Sequence, residues 1–182
     1  MTLLDSRPVV LITGISAAGK STVAELLARR FPRGAHVRGD AFRRTIVAGR
    51  HEMTAEPTDE ALRQLRLRYR LGAATADAYH AAGFAVVVQD VVLGTALADY
   101  VAALRSRPLV VVVLAPRPDV VAAREAARAK DAYGDAGGVA ALDAHLRRAT
   151  PRIGLWLDTS GQAPAETVDE IVRRGLEAGR VP

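Results

Sequence analysis

The amino-acid sequence predicts an α/β protein, a three-layer α/β/α sandwich in which a five-stranded parallel sheet lies between two layers of helices. Short apolar runs alternate with longer helical stretches, as is typical of parallel strands joined by helical crossovers. The runs are continuously apolar, as expected of strands that are covered on both faces. No repeat or linker divides the 182 residues, so we expect one domain over residues 1–182.

Five strands and six helices are predicted from these patterns. The strands cover residues 9–13, 35–37, 84–88, 109–114 and 153–157. The helices cover residues 20–30, 58–82, 95–105, 119–130, 139–148 and 165–178. Residues 49–57 and 132–138 are rich in Gly, Ala, Pro and polar side chains, and they are predicted to be mobile surface loops. Because crossovers are almost always right-handed, this order of elements favours a doubly wound sheet.

Composition narrows the classes of protein. The 25 Lys and Arg against 20 Asp and Glu give a net charge of +5, which favours anionic partners such as nucleotides. The absence of Cys excludes disulfides and a catalytic thiol. No apolar run approaches the roughly 20 residues of a membrane helix, and the N-terminus lacks a signal-peptide pattern. We therefore expect a cytoplasmic protein without a membrane partner.

The strongest chemical signal is the segment Gly-Ile-Ser-Ala-Ala-Gly-Lys-Ser-Thr at residues 14–22, which fits the phosphate-binding loop (P-loop) pattern. A strand precedes it and a helix follows, so backbone N–H groups and the helix N-terminus can surround phosphates. Lys20 is expected to reach the β- and γ-phosphates, and Ser21 to bind Mg²⁺. ATP and Mg²⁺ are the predicted cofactors. The predicted nucleotide-binding residues are Gly14, Ile15, Ser16, Ala17, Ala18, Gly19, Lys20, Ser21 and Thr22.

Two aspartates follow predicted strands. Asp90 comes after the third strand, where a second metal-binding carboxylate is expected; the alternative is a turn-capping aspartate. Asp40 comes after the second strand, at the carboxyl edge of the sheet near the transferring phosphate. Its alternative role is the N-cap of a helix that begins at Ala41. We therefore treat Asp90 as a candidate metal ligand and Asp40 as a candidate catalytic residue.

Arginines supply the remaining candidates. Arg124 and Arg128 lie four residues apart and share one face of a predicted helix, beside a Gly-rich loop. They predict a lid at about residues 118–138 that stabilises the charge of a transferring phosphoryl group; the alternative is a solvent-exposed face. A denser group on the helix at 58–82 is expected to face mainly solvent, with Arg66 or Arg70 as alternative contacts to a substrate groove. The group comprises Arg63, Arg66, Arg68 and Arg70.

The loop at residues 158–161 follows the last strand. It is either packed over an adenine ring or an ordinary strand-to-helix turn.

With these motifs, the chain resembles the small P-loop phosphotransferases, and most closely the chloramphenicol phosphotransferase family. The similar segments are the phosphate loop, the strand-end acidic motif at 88–94 and the lid motif at 124–128. Gluconate kinases and adenylylsulfate kinases resemble it more loosely. The resemblance implies a P-loop kinase fold and phosphoryl transfer from ATP to a small-molecule hydroxyl, with an antibiotic among the candidate acceptors. It also implies that Asp40 accepts the hydroxyl proton and that Arg124 and Arg128 stabilise charge.

The acceptor stays open, because residues 41–57, which should help to form its pocket, show no such resemblance. One alternative is a kinase for nucleosides or polynucleotide ends, favoured by the basic helix. Only three Phe, four Tyr and one Trp are available for stacking on bases, so nucleic acid is not expected as a partner. Another alternative is a non-catalytic nucleotide-binding regulatory module, which would leave Asp40 and the lid unexplained.

Overall fold

The computed structural model describes residues 2–54, 56–128 and 136–182. Five parallel strands form the sheet in the order β2-β3-β1-β4-β5, which confirms the predicted sheet. Their bounds are β1 (Val9–Thr13), β2 (Gly34–Arg38), β3 (Ala85–Gln89), β4 (Leu109–Leu114) and β5 (Leu155–Leu157). A strand that was not predicted, β6 (Arg180–Val181), pairs antiparallel with the start of β4.

Seven helices accompany these strands in the described part of the chain. They are α1 (Lys20–Ala28), α2 (Gly39–Arg44), α3 (Asp59–Ala81), α4 (Ala96–Ala103), α5 (Pro118–Arg128), α6 (Ala136–Ala149) and α7 (Pro164–Ala178). The six predicted helices are confirmed within a few residues, and α2 is additional. None of the helices in the described ranges is both long enough and apolar enough to cross a membrane.

Helices cover the sheet on two sides. α1 packs against α7, and α3 packs against α2 and α4, with strands between the two groups. The central strands β1, β3 and β4 are buried along their whole length, which explains why their sequences are continuously apolar. Because the strands are parallel, their carboxyl ends meet at one edge, and the segments that follow them converge there.

The two predicted surface loops have different outcomes. Residues 49–54, 56 and 57 form neither helix nor strand, as expected. The second loop was predicted at 132–138, but α6 already begins at Ala136, and residues 129–135 lie outside the described part. The lid at about 118–138 therefore stays a prediction.

Candidate active site

The phosphate loop leaves β1 in a conformation that needs glycine. Gly14 has a φ of +148°, and a Cβ placed on it would lie 2.5 Å from the carbonyl oxygen of Leu114 on β4. Gly19, at the N-cap of α1, has a φ of +93° and adopts the left-handed backbone conformation. Ala17, with a φ of +57°, also has a positive φ. This curl brings the first turn of α1 directly behind the loop, where its N–H groups can face an anion.

Two predicted nucleotide-binding side chains stand at the start of α1. Lys20 is only 8% exposed, and its Nζ donates a hydrogen bond of 2.7 Å to the carbonyl oxygen of Ile15, across the loop. Ser21 follows it and is exposed. The ammonium group is therefore held over the loop, while the hydroxyl group remains accessible.

Asp90 lies directly after β3, and its side chain is fully buried. Arg68 of α3 binds both carboxylate oxygens: its Nε donates to Oδ2 at 2.7 Å, and its Nη2 donates to Oδ1. The backbone N–H of Val91 donates to Oδ1 at 2.7 Å. Burial lowers the pKa of Arg68, but an arginine titrates so far above neutral pH that it stays charged. Both oxygens of Asp90 are thus engaged, and its role as a metal ligand stays a prediction.

Hydrogen bonds fasten the segment after β3 to the end of β1. The N–H of Asp90 donates to the carbonyl oxygen of Ile12 at 3.2 Å. The Thr13 hydroxyl accepts from the Val92 N–H and donates to the Val92 carbonyl oxygen, both at 2.9 Å. Thr13 immediately precedes the phosphate loop. Asp90 is therefore held beside that loop by both side-chain and backbone contacts.

Asp40 is the second residue of α2, so its alternative role as the N-cap of a helix that begins at Ala41 is wrong. The helix begins at Gly39 with Arg38 at the N-cap position, and no side chain caps it. The Asp40 carboxylate is instead 44% exposed and forms ion pairs with Arg44 Nε at 2.8 Å and Arg43 Nε at 3.7 Å. Sequence reasoning did not single out Arg43, although its spacing of three residues from Asp40 on a helix was a usable signal. The catalytic role of Asp40 stays a prediction.

A cavity of about 320 Å³ lies against the phosphate loop. Arg124 of α5 reaches its far side and donates through Nη2 to the carbonyl oxygen of Thr159 at 3.2 Å. This contact joins α5 to the loop after β5, which favours the adenine-packing interpretation of that loop. The Arg128 side chain lies outside the described part. The other lining residues come from three segments: Ala17, Ala18, Gly19, Thr22 and Val23; Ala127; and Gln162, Pro164 and Thr167.

A second cavity, of about 130 Å³, forms a groove between α2 and α3. Phe42 and Ile46 line one side, and Leu67 and Leu71 line the other. Of the four clustered arginines, Arg68 reaches this groove, whereas Arg63, Arg66 and Arg70 are exposed. The groove lies next to Asp90, because Arg68 of its lining binds that carboxylate. The start of α2 is also close to Asp90: a Cβ on Gly39 would lie 1.9 Å from Asp90 Oδ2. The groove and the phosphate loop therefore open at the same edge of the sheet.

Comparison with known proteins identifies the family. A family model described as an AAA domain matches residues 9–151. The chain belongs to this family. No curated protein sequence matches it.

Solved structures with the same fold cover most of the chain. The APS kinase CysC of Mycobacterium tuberculosis, solved with AMPPNP and APS, has a TM-score of 0.68 and 19% identity over 91% of this chain and 95% of that one. A gluconokinase of Sinorhizobium meliloti 1021 has a TM-score of 0.63 and 21% identity, covering 91% and 90%. The tunicamycin resistance protein of Deinococcus radiodurans has a TM-score of 0.63 and 18% identity, covering 96% and 98%. The chain thus has the P-loop kinase fold. The narrower resemblance to chloramphenicol phosphotransferases stays a prediction.

The buried ion pair predicts a large effect of Arg68→Met. Removing the guanidinium would leave a buried carboxylate without its cation, and breaking one partner of such a pair costs about 3–5 kcal/mol. Urea unfolding should show a loss of this order in the free energy of unfolding. Arg63→Met is the matched control on the same helix, because Arg63 is exposed and pairs with Glu60 at the surface. Equal, small losses in both variants would contradict a structural role for the Arg68–Asp90 pair.

Proposed function

We propose that this protein is an ATP-dependent phosphotransferase that transfers the γ-phosphoryl group to a hydroxyl group of a small molecule. One observation carries the proposal: a phosphate loop with a buried lysine and a separate groove meet at the same sheet edge, on either side of Asp90. An enzyme that joins two substrates needs such adjacent sites, because holding both in register supplies much of the rate. A regulatory module would need only the first site.

The nucleotide fits the first cavity. The curled loop and the first turn of α1 offer N–H groups to the phosphates, and Lys20 adds a positive charge held over the loop. Arg124, Thr159 and Gln162 line the side away from the loop, where the base would lie. We assign Arg124 to nucleotide binding and charge compensation, together with the predicted role of Arg128.

Few side chains in the described part of the chain are available as ligands of the expected metal ion. Among the described residues, no group of three or more His, Cys, Asp or Glu side chains could hold a metal. The exposed hydroxyl of Ser21 is an oxygen ligand of the kind that Mg²⁺ takes, and it would hold the ion together with the nucleotide phosphates. Asp90, whose two oxygens already bind Arg68 and the Val91 N–H, would act on the water shell of the ion. When bound, Mg²⁺ would neutralise charge on the β- and γ-phosphates.

In the proposed transfer, the acceptor oxygen attacks the γ-phosphorus from the groove side. A bond forms between that oxygen and phosphorus, the bond from phosphorus to the β–γ bridging oxygen breaks, and ADP leaves. The proton of the hydroxyl passes to the Asp40 carboxylate, which Arg43 and Arg44 orient. Lys20 and Arg124 compensate the charge on the phosphate oxygens.

The fold relatives guide the choice of acceptors for a first test. Their names include kinases of gluconate and APS and a tunicamycin resistance protein. Hydroxyl-bearing antibiotics, sugars, sugar acids and simple alcohols therefore belong in one panel. An antibiotic acceptor would agree with the family resemblance found in the sequence.

The direct test is a mass-spectrometric screen of this panel with Mg·ATP. A product heavier by one phosphoryl group, formed with ADP, is the expected result.

Lys20→Ala should weaken ATP binding or abolish transfer, because backbone dipoles alone then face the phosphate charge. Arg29→Ala, which removes an exposed charge at the end of α1, is the control and should leave both unchanged. Full ATP affinity and turnover in Lys20→Ala would exclude the assigned phosphate site.

A second test isolates the role of Asp40. Asp40→Asn keeps the size of the side chain but removes the proton acceptor, so kcat should fall on the order of 10²-fold or more. ATP affinity and melting temperature should hardly change, because the ion pairs of Asp40 are at the surface. Asp99→Asn on α4 provides an exposed carboxylate control. A normal kcat in Asp40→Asn would show that the reaction needs no base at this position.

A further inference from the structure

The groove between α2 and α3 has mainly apolar walls. Six large apolar side chains line it: Phe42, Ile46, Met53, Leu65, Leu67 and Leu71. Three of them remain open to solvent: Met53 is 47% exposed, and Leu67 and Leu71 are each 39% exposed. Apolar surface that stays exposed at a concave site is typical of ligand binding.

Five polar side chains also line the groove among the described residues, and each has a partner within the protein. The pairs are Arg43 with Glu52, Thr45 with the Phe42 carbonyl, His51 with Thr58, Gln64 with the Gly49 carbonyl, and Arg68 with Asp90. The two positive charges are therefore compensated. A ligand with several hydroxyl or carboxylate groups would have to break these contacts or bury polar groups without partners, and both cost free energy.

The size of the cavity sets the size of the group it can enclose. Its volume of about 130 Å³ is close to the roughly 150 Å³ of an engineered apolar cavity that binds benzene. One six-membered ring or a short alkyl chain therefore fits inside. The exposed leucines leave one side open, where the rest of a larger molecule can lie.

The groove also has the right position for an acceptor. Arg43 of its wall pairs with the candidate base Asp40 at 3.7 Å, and Arg68 of its wall binds Asp90 beside the phosphate loop. A hydroxyl at the inner end of the groove would face the transferring phosphoryl group, while its carbon body would lie against Phe42 and the α3 leucines.

We propose that the acceptor is an uncharged alcohol that carries its hydroxyl group on an apolar ring or chain, and that the groove walls select it. This inference rests on the proposed phosphotransferase function. The inference excludes sugar acids and nucleotides as acceptors, although kinases of gluconate and APS share the fold of this protein. A shared fold does not determine which molecule the groove walls recognise.

The test compares matched acceptors with Mg·ATP. 2-Phenylethanol, cyclohexylmethanol and 1-hexanol represent the proposed class, and glycerol and gluconate represent polar acceptors. We expect kcat/KM to be at least about tenfold higher for the apolar alcohols, a typical discrimination by an apolar pocket. Saturation-transfer NMR with Mg·AMPPNP present measures binding of each compound independently of transfer.

A groove variant assigns the selectivity to the proposed walls. Leu67→Glu places a carboxylate in the groove on an exposed helix position, so KM for the apolar alcohols should rise about tenfold while ATP affinity and melting temperature stay unchanged. Leu142→Glu is the matched control, since Leu142 on α6 is 37% exposed and does not line the groove. It should have no effect on KM.

The outcomes separate the inference from the function it rests on. If glycerol or gluconate is phosphorylated as well as the apolar alcohols, the inference is wrong and the phosphotransferase function stands. If the apolar alcohols bind, lose affinity in Leu67→Glu and are not phosphorylated, the groove binds them as inferred, but the proposed function fails and with it their role as acceptors. If they do not bind, or if Leu67→Glu leaves their binding unchanged, the inference is overturned.

Discussion

The ion pair between Arg68 and Asp90 is the contact on which the rest of the site depends. A buried carboxylate needs a compensating charge, and this one receives it from Arg68 of α3, which lies 22 residues earlier in the chain. The same carboxylate is in close contact with Gly39 at the start of α2 and follows the strand that neighbours β1. One buried charge therefore fixes α2, α3 and the end of β3 relative to the phosphate loop.

This arrangement divides the sheet edge into two chemically different halves. On one side, glycine-dependent backbone and Lys20 form a polar site suited to a triphosphate. On the other, α2 and α3 enclose a groove whose charges are already neutralised by neighbours such as Glu52 and Asp90. Asp40 lies at the start of α2 and follows Gly39, which abuts Asp90. In the proposed function, the polar half would bind the anionic donor and the apolar half would bind the acceptor.

Much of this could be predicted from the sequence because it depends on local patterns. The buried strands are continuous apolar runs, and the phosphate loop is a short motif between a strand and a helix. The pairing of Arg68 with Asp90 could not be predicted, since it depends on how α3 is rotated against the sheet. The same rotation leaves Arg66 and Arg70 exposed to solvent, as was mainly expected, and outside the lining of the groove between α2 and α3. The helix α2 entered the sequence analysis only as the segment from Ala41 that Asp40 could cap, because its six residues carry too little periodicity to predict it alone. The strand β6 was missed because two residues form no pattern.

The most direct test of the central claim is a crystal structure with Mg²⁺ and a non-hydrolysable ATP analogue. We predict that the triphosphate lies in the loop at residues 14–22, with the base beside Arg124 and Thr159. The γ-phosphate should point toward Asp40 and the inner end of the groove between α2 and α3. A γ-phosphate directed away from that groove, or a nucleotide bound elsewhere, would contradict the claim that donor and acceptor meet at this edge.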